Sequence, residues 1–229
     1  MKNLNLQQRV DLLFAEQLIL GFNGKKYTDW AISLMQEDYQ SVNLDILAGL
    51  DNNDRISIEH YFKRLTEDLH LNINKDKEQL LSSYTFVIAQ MVIDEQIKPE
   101  KGLNIMEEIR IQMYGYGFTE NELIQFSYLT DDALSMDDYQ MFYKGLKKEN
   151  LDEVITDEMK MYLLSKPKSI EDVRDLIYCN KCNCFGYAFY REGGLFSKGN
   201  WHCKKCSSKN FLAWWNVPDR KQILQKLDS

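Results

Sequence analysis

All five cysteines of this 229-residue chain lie between positions 179 and 206. A secreted disulfide protein distributes an even number of cysteines over its length, so that they link distant loops. Four of the five form two Cys-x2-Cys pairs separated by twenty residues, at Cys179, Cys182, Cys203 and Cys206. Two thiolates three positions apart on a tight turn can bind one ion, and two such turns joined by a hairpin complete a tetrahedron. The spacing therefore predicts reduced thiols that hold Zn²⁺.

The segment between the two cysteine pairs has the composition of strands and a turn. Residues 185–190 are rich in aromatic side chains, and two successive glycines follow them. With its cysteines and this hairpin, the stretch 178–215 resembles a zinc ribbon. Because four protein ligands leave no open position for water or substrate, the predicted zinc is structural rather than catalytic. The roles of Cys184 and His202 stay open, either as further ligands or as packing residues.

Upstream of residue 178, apolar residues recur at the spacing of amphipathic helices, and period-two alternation does not persist. The clearest apolar stripe runs from Leu80 to Val92, and Pro99 interrupts the chain after it. A capping box at residues 119–122 predicts another helix start. The remaining predicted helices cover residues 5–20, a short stretch from Thr28 to Met35, 43–50, a stretch that begins at Asp54 or Ser57 and runs to Leu69, 102–114, 135–147, 155–165, 169–178 and a terminal stretch after Pro218.

These patterns predict a mainly α fold. It consists of an irregular multi-helix domain of short antiparallel helices, a small C-terminal β zinc ribbon and a terminal helix. We assign residues 1–176 to the helical domain and residues 177–229 to the zinc-ribbon module with its C-terminal helix. A module of this size buries too little apolar surface to fold alone, so we expect its folding to depend on the metal.

The net charge of −7 is distributed unevenly along the chain. Residues 1–167 carry 17 Lys and Arg against 29 Asp and Glu, which argues against a helical part that coats nucleic acid. Nine of these carboxylates lie between residues 131 and 158. They form either a solvated face that keeps the protein soluble or a surface that docks a basic partner. The candidate partner-binding residues are Asp131, Asp132, Asp137, Asp138, Tyr139, Asp152 and Glu153.

The C-terminal part of the chain has the opposite charge. Residues 168–229 carry 11 Lys and Arg against 6 Asp and Glu, and they include three of the four tryptophans. Basic residues beside exposed aromatic rings suit phosphate contact and base stacking. The candidate nucleic-acid contacts are Lys204, Lys205, Lys209 and Trp214. Alternatively, the aromatic residues only build the core of the ribbon and its contact with the helices.

Nothing in the sequence indicates an enzyme or a small-molecule substrate. The motifs of dinucleotide sites, phosphate loops, nucleophile elbows and zinc proteases do not occur. The three histidines follow no metal or catalytic-triad spacing. No apolar run approaches the roughly 20 residues that cross a bilayer, and the N-terminus lacks the pattern of a signal peptide. We therefore expect a cytoplasmic, non-enzymatic protein that does not bind membranes.

Three short motifs stand out in the helical part of the chain. Trp30 precedes the segment Ser-Val-Asn-Leu-Asp-Ile-Leu-Ala-Gly-Leu at 41–50, and a Pro-x-x-Gly turn follows at 99–102. The combination resembles the immunity proteins of bacterial polymorphic and contact-dependent toxin systems. The resemblance implies a protein whose acidic helical surface binds and neutralises a cognate toxin domain, such as a nuclease. The alternative is a nucleic-acid-binding protein that acts through its basic, aromatic zinc ribbon.

Overall fold

The computed structural model describes residues 4–73, 76–115, 123–135, 141–165, 173, 175–192 and 199–228. The chain divides into two compact units, Met1–Thr85 and Phe86–Ser229. It is mainly α with a small antiparallel sheet near the C-terminus, which confirms the predicted fold class. The predicted domain boundary between residues 176 and 177 stays a prediction, and the first strand begins there. None of the described helices is both long enough and apolar enough to cross a bilayer.

The described part of the chain contains nine α-helices. Their bounds are α1 Leu6–Leu20, α2 Gly24–Met35, α3 Val42–Ala48, α4 Arg55–Asp68, α5 Lys77–Ile93, α6 Pro99–Gly115, α7 Ile124–Leu134, α8 Leu151–Ser165 and α9 Arg220–Asp228. The side chains of Asn5, Ser41 and Asp54 cap α1, α3 and α4 by accepting a backbone N–H of the first turn. Pro99 is the first residue of α6, where its missing N–H costs no helical hydrogen bond.

Aromatic side chains of α2 and α4 meet in the core of the first unit. The ring of Phe62 lies 4.9 Å from that of Tyr27 and 5.2 Å from that of Trp30, measured between centroids. Leu44 and Leu47 of α3 are fully buried in the same cluster. Trp30 and α3, which carry part of the resemblance to immunity proteins, are therefore core elements of this unit.

Four antiparallel strands form the sheet of the second unit. They are β1 Leu176–Cys179, β2 Cys184–Arg191, β3 Asn200–Cys203 and β4 Phe211–Ala213, in the spatial order β3-β2-β1-β4. Because successive side chains of a strand point to opposite faces, the sheet has two different surfaces. Leu176 lies on one face and packs with Met161 of α8 and Ile223 of α9. Ile177 lies on the other face, in a separate buried cluster with Cys179 and Cys203.

Two of the predicted helices are wrong where the structure describes them. Residues 141–147 form no helix, because their backbone groups bond elsewhere: Asp132 accepts the N–H groups of 141–143, and Lys144 pairs with the segment 215–217. Residues 176–178 belong to β1, where they pair with β2 and β4. The capping box at 119–122 lies outside the described residues, and so do most of the remaining residues of these two predicted helices.

Candidate metal centre

The fold brings together the four cysteines that the spacing selected. The sulfur atoms of Cys179, Cys182, Cys203 and Cys206 all lie within 4.8 Å of one another. Cys179 ends β1 and Cys203 ends β3, and the chain turns after each. Asn183 and Ser207, which follow the two pairs, both have positive φ, 49° and 53°. The two turns therefore share one backbone feature, a residue with positive φ directly after the second cysteine. The four cysteines form a group that can hold a metal ion.

The surrounding groups shift the pKa values of two of these thiols in opposite directions. Burial raises the pKa of Cys179, but the N–H groups of Cys182 and Lys181 donate to its sulfur and hold the pKa at about 6. The pKa of Cys182 is raised well above that of a free thiol, chiefly by its hydrogen bond with the thiol of Cys184. A thiolate is the form that binds a metal, so the environment prepares Cys179 as a ligand.

The fifth thiol and the histidine lie beside the cluster. Cys184 Sγ is 3.1 Å from Cys182 Sγ, but it is not one of the four mutually close sulfur atoms. His202 Nδ1 lies 2.9 Å from the carbonyl oxygen of Ser207, and the imidazole packs against the ring of Phe189. These contacts link β3 to the turn that contains Ser207, and they favour a packing role for His202.

The predicted nucleic-acid contacts do not all lie at the surface. Lys204, Lys205 and Lys209 are exposed. Trp214 is fully buried, and its indole N–H donates to Glu158 at 3.0 Å. Its inclusion among the contacts is therefore wrong, since a ring with no exposed surface cannot stack on a base.

Only part of the predicted acidic surface is exposed to solvent. Asp131 on α7 and Asp152 and Glu153 on α8 are exposed. Asp132 is 2 % exposed and accepts three backbone N–H groups, so assigning it to a partner surface is wrong. Three further candidates lie outside the described residues, namely Asp137, Asp138 and Tyr139. Three described carboxylates therefore remain as surface candidates.

Replacing Asp132 by alanine is expected to destabilise the second unit by about 3 kcal/mol, because three backbone N–H groups lose a charged acceptor. Urea unfolding measures the loss. The neighbouring variant Asp131→Ala is the control, and its free energy of unfolding is expected to change by less than about 0.5 kcal/mol. Equal effects of the two substitutions would contradict the structural role of Asp132.

An open cavity of about 670 Å³ lies along α8 and α9 in the second unit. Asp152 and Glu153 line it, so two of the predicted partner-binding residues share one concave site. Leu163, Leu164 and Leu224 form part of its apolar lining. Lys221, which also lines the cavity, forms an ion pair with Glu153 at 2.5 Å. The cavity therefore combines carboxylates with an apolar wall.

A buried ion pair that the sequence did not reveal links α8 to α9. Glu158 and Arg220 are both fully buried and lie 2.8 Å apart. The guanidinium stacks on the rings of Trp214 and Tyr143, at 4.3 and 4.6 Å from their centroids. It also donates to the carbonyl oxygens of Trp214 and Val154. Burial raises the pKa of Glu158, and Arg220 opposes that effect by stabilising the carboxylate.

No protein family, curated protein or solved structure matches this chain, so the resemblance to toxin immunity proteins rests on the sequence motifs alone.

Proposed function

We propose that this protein is a zinc-dependent, non-enzymatic binding protein in which the four-cysteine site is structural. The observation that carries the zinc assignment is the convergence of four sulfur atoms within 4.8 Å. Sulfur ligands at about 2.3 Å from a tetrahedral Zn²⁺ are about 3.8 Å apart. Two of the pairs lie close to that separation, Cys179 and Cys206 at 3.5 Å and Cys182 and Cys203 at 3.9 Å. When bound, the ion would link the ends of β1 and β3.

Metal analysis of the purified full chain tests the zinc assignment. We expect one zinc per chain, and competition with a chromophoric chelator should give a single strong site. The variant Cys184→Ser is the matched control, because it removes a cysteine that is adjacent to the group but outside it. A chain that folds without any metal, or that takes up iron in preference to zinc, would contradict the assignment.

The binding partner is proposed to be a basic protein, in particular a toxin domain such as a nuclease. The excess of carboxylates in residues 1–167 supports this, because opposite charges accelerate association and disfavour wrong partners. Asp152 and Glu153 support it further, since they line a cavity that also has an apolar wall. Such a cavity suits a basic side chain whose aliphatic stem packs on the leucines.

Co-purification with the protein encoded beside this chain's own gene tests the toxin proposal. If that protein is the cognate toxin, we expect a stable complex and protection of cells that express it. The double variant Asp152→Lys/Glu153→Lys should weaken the complex at least about tenfold. The control is Glu100→Lys/Glu108→Lys, which changes the same charge at exposed positions that do not line the cavity. Absence of both binding and protection would remove this proposal and leave the zinc assignment intact.

A further inference from the structure

Four aromatic rings form a continuous strip on the ribbon. Tyr190 and Trp201 pair across β2 and β3, with ring centroids 5.5 Å apart. Trp201 lies 5.7 Å from Trp215, and Trp215 lies 6.2 Å from Phe211. We call these four residues the aromatic strip. Phe211 and Trp215 pack against the buried cluster of Cys179 and Cys203, so the strip lies on the sheet face that carries the cysteines.

The strip keeps a large apolar surface open to solvent. Tyr190 is 53 % exposed and Trp201 is 49 % exposed, although most aromatic rings among the described residues are buried or half-buried. The Tyr190 side chain lies close against Gly199, where a Cβ would be only 2.2 Å from the hydroxyl oxygen of Tyr190. Two neighbouring rings are therefore about half exposed on this face of the sheet.

The exposed charge of the ribbon as a whole favours a polyanion. Among the described residues of the ribbon, five basic side chains are exposed and one carboxylate, that of Glu192, is exposed with them. The basic side chains are Lys181, Arg191, Lys204, Lys205 and Lys209. Four thiolates around Zn²⁺ leave a local charge of about −2, which these cations outnumber. The ribbon thus combines open aromatic faces with an excess of positive charge.

We propose that the aromatic strip binds single-stranded nucleic acid, with bases stacked on Trp201 and Tyr190 and phosphates held by the exposed lysines. Stacking on a protein ring requires an unpaired base, and every base has such a face, so a single strand of any sequence fits. A duplex keeps its base faces covered and offers only its phosphates to this surface. The proposal rests on the zinc site proposed above, because Cys203 ends the strand that carries Trp201. It does not depend on the toxin proposal.

Fluorescence anisotropy with a fluorescein-labelled 15-nucleotide oligothymidylate and the zinc-loaded full chain tests this inference. The variant Trp201→Ala is expected to weaken binding about tenfold, and Trp201→Tyr, which keeps a stacking ring, less than about threefold. The control Tyr114→Ala removes an exposed ring on α6 and should leave the affinity unchanged. Zinc content and circular dichroism of each variant establish that its ribbon is folded.

A second set of variants separates the contribution of phosphates from that of bases. Lys204→Glu/Lys205→Glu/Lys209→Glu should weaken binding and flatten its salt dependence, since each phosphate contact on a single strand contributes about 0.7 to the slope of log K against log salt. The control Lys63→Glu/Lys98→Glu/Lys148→Glu makes the same charge change at exposed positions outside the ribbon. A duplex of equal length should bind more weakly than the single strand.

Three results would overturn the inference. The first is no saturable binding by a preparation that contains one zinc per chain, which leaves the zinc assignment standing while this proposal fails. The second is equal binding by the wild type and Trp201→Ala. The third is a protein partner whose binding depends on Trp201 while the oligonucleotide does not bind. A preparation that contains no zinc would refute the zinc assignment first, and with it the basis of this inference.

Discussion

Replacing Cys203 by serine is expected to abolish tight zinc binding and to unfold the ribbon. Mutation of residues that only orient a metal ligand typically costs about 10- to 100-fold in metal affinity, so loss of a ligand should cost more than about 100-fold. Cys203 is the sharpest choice because it is 3 % exposed and ends β3. Cys182 is a poorer choice, since Cys184 lies 3.1 Å from it and can substitute as a ligand.

Chelator competition measures the zinc affinity of the Cys203→Ser variant, and limited proteolysis locates the unfolding. We expect cleavage within residues 177–215 while the helices of the first unit stay protected. Removing zinc from the wild type with a strong chelator should reproduce this pattern, because the binding free energy of a structural zinc is also folding free energy. Cys184→Ser is the control and should keep one zinc per chain. Full zinc content in Cys203→Ser would mean that the four-cysteine assignment is wrong.

Replacing Arg220 by methionine is expected to destabilise the second unit by about 3–5 kcal/mol. The substitution leaves the carboxylate of Glu158 buried without its ion-pair partner, which is far more costly than the pair itself is stabilising. Removing Arg220 also leaves the carbonyl oxygens of Trp214 and Val154 without their donor. Urea unfolding followed by tryptophan fluorescence measures the loss.

A double-mutant cycle separates the ion pair from the loss of packing. Replacing both partners, as in Glu158→Leu/Arg220→Met, should cost less than the sum of the two single substitutions, because no unpaired charge remains. The control is Lys221→Met on the next residue, whose ion pair with Glu153 is exposed to solvent. Solvent screens that pair, so losing it should cost far less than losing Arg220. Additive effects of the two single substitutions would contradict a direct coupling between Glu158 and Arg220.

The candidate ligands were predictable from the sequence because metal binding by a Cys-x2-Cys turn is a local property. The reach of two thiolates three residues apart depends on the turn itself, and twenty intervening residues are enough for the hairpin that joins the pairs. The mainly α class was predictable for a similar reason, because apolar residues at helical spacing mark the buried face of each helix. Both predictions use only properties of short stretches of the chain.

The choice between Trp214 and Trp201 was not predictable in this way. Trp214 and Trp215 are adjacent in the sequence, yet the first packs with α8 and α9 and the second with the cysteines. Both lie in the turn after β4, so neither strand alternation nor helical spacing indicates which of the two rings the helices cover. Composition therefore identified a basic and aromatic ribbon, while the packing of two helices decided which of its rings stay exposed.

Asp132 and Arg220 illustrate the same limit for charged residues. A carboxylate in an acidic stretch and an arginine in a basic tail have the composition of surface residues, and both are buried here. The interaction partners of each lie elsewhere in the chain. Asp132 accepts hydrogen bonds from the N–H groups of 141–143, and Arg220 forms an ion pair with Glu158. Such partners meet only when the tertiary fold forms.

The five clustered cysteines alone determined the candidate metal ligands, and the helical periodicity determined the fold class. The tertiary structure decided which charged and aromatic residues face solvent. The physical reason is that ligand spacing and helix periodicity are set by the geometry of a few consecutive residues. Burial, in contrast, is set by contacts between segments far apart in the chain, such as α8 with β4 and α9.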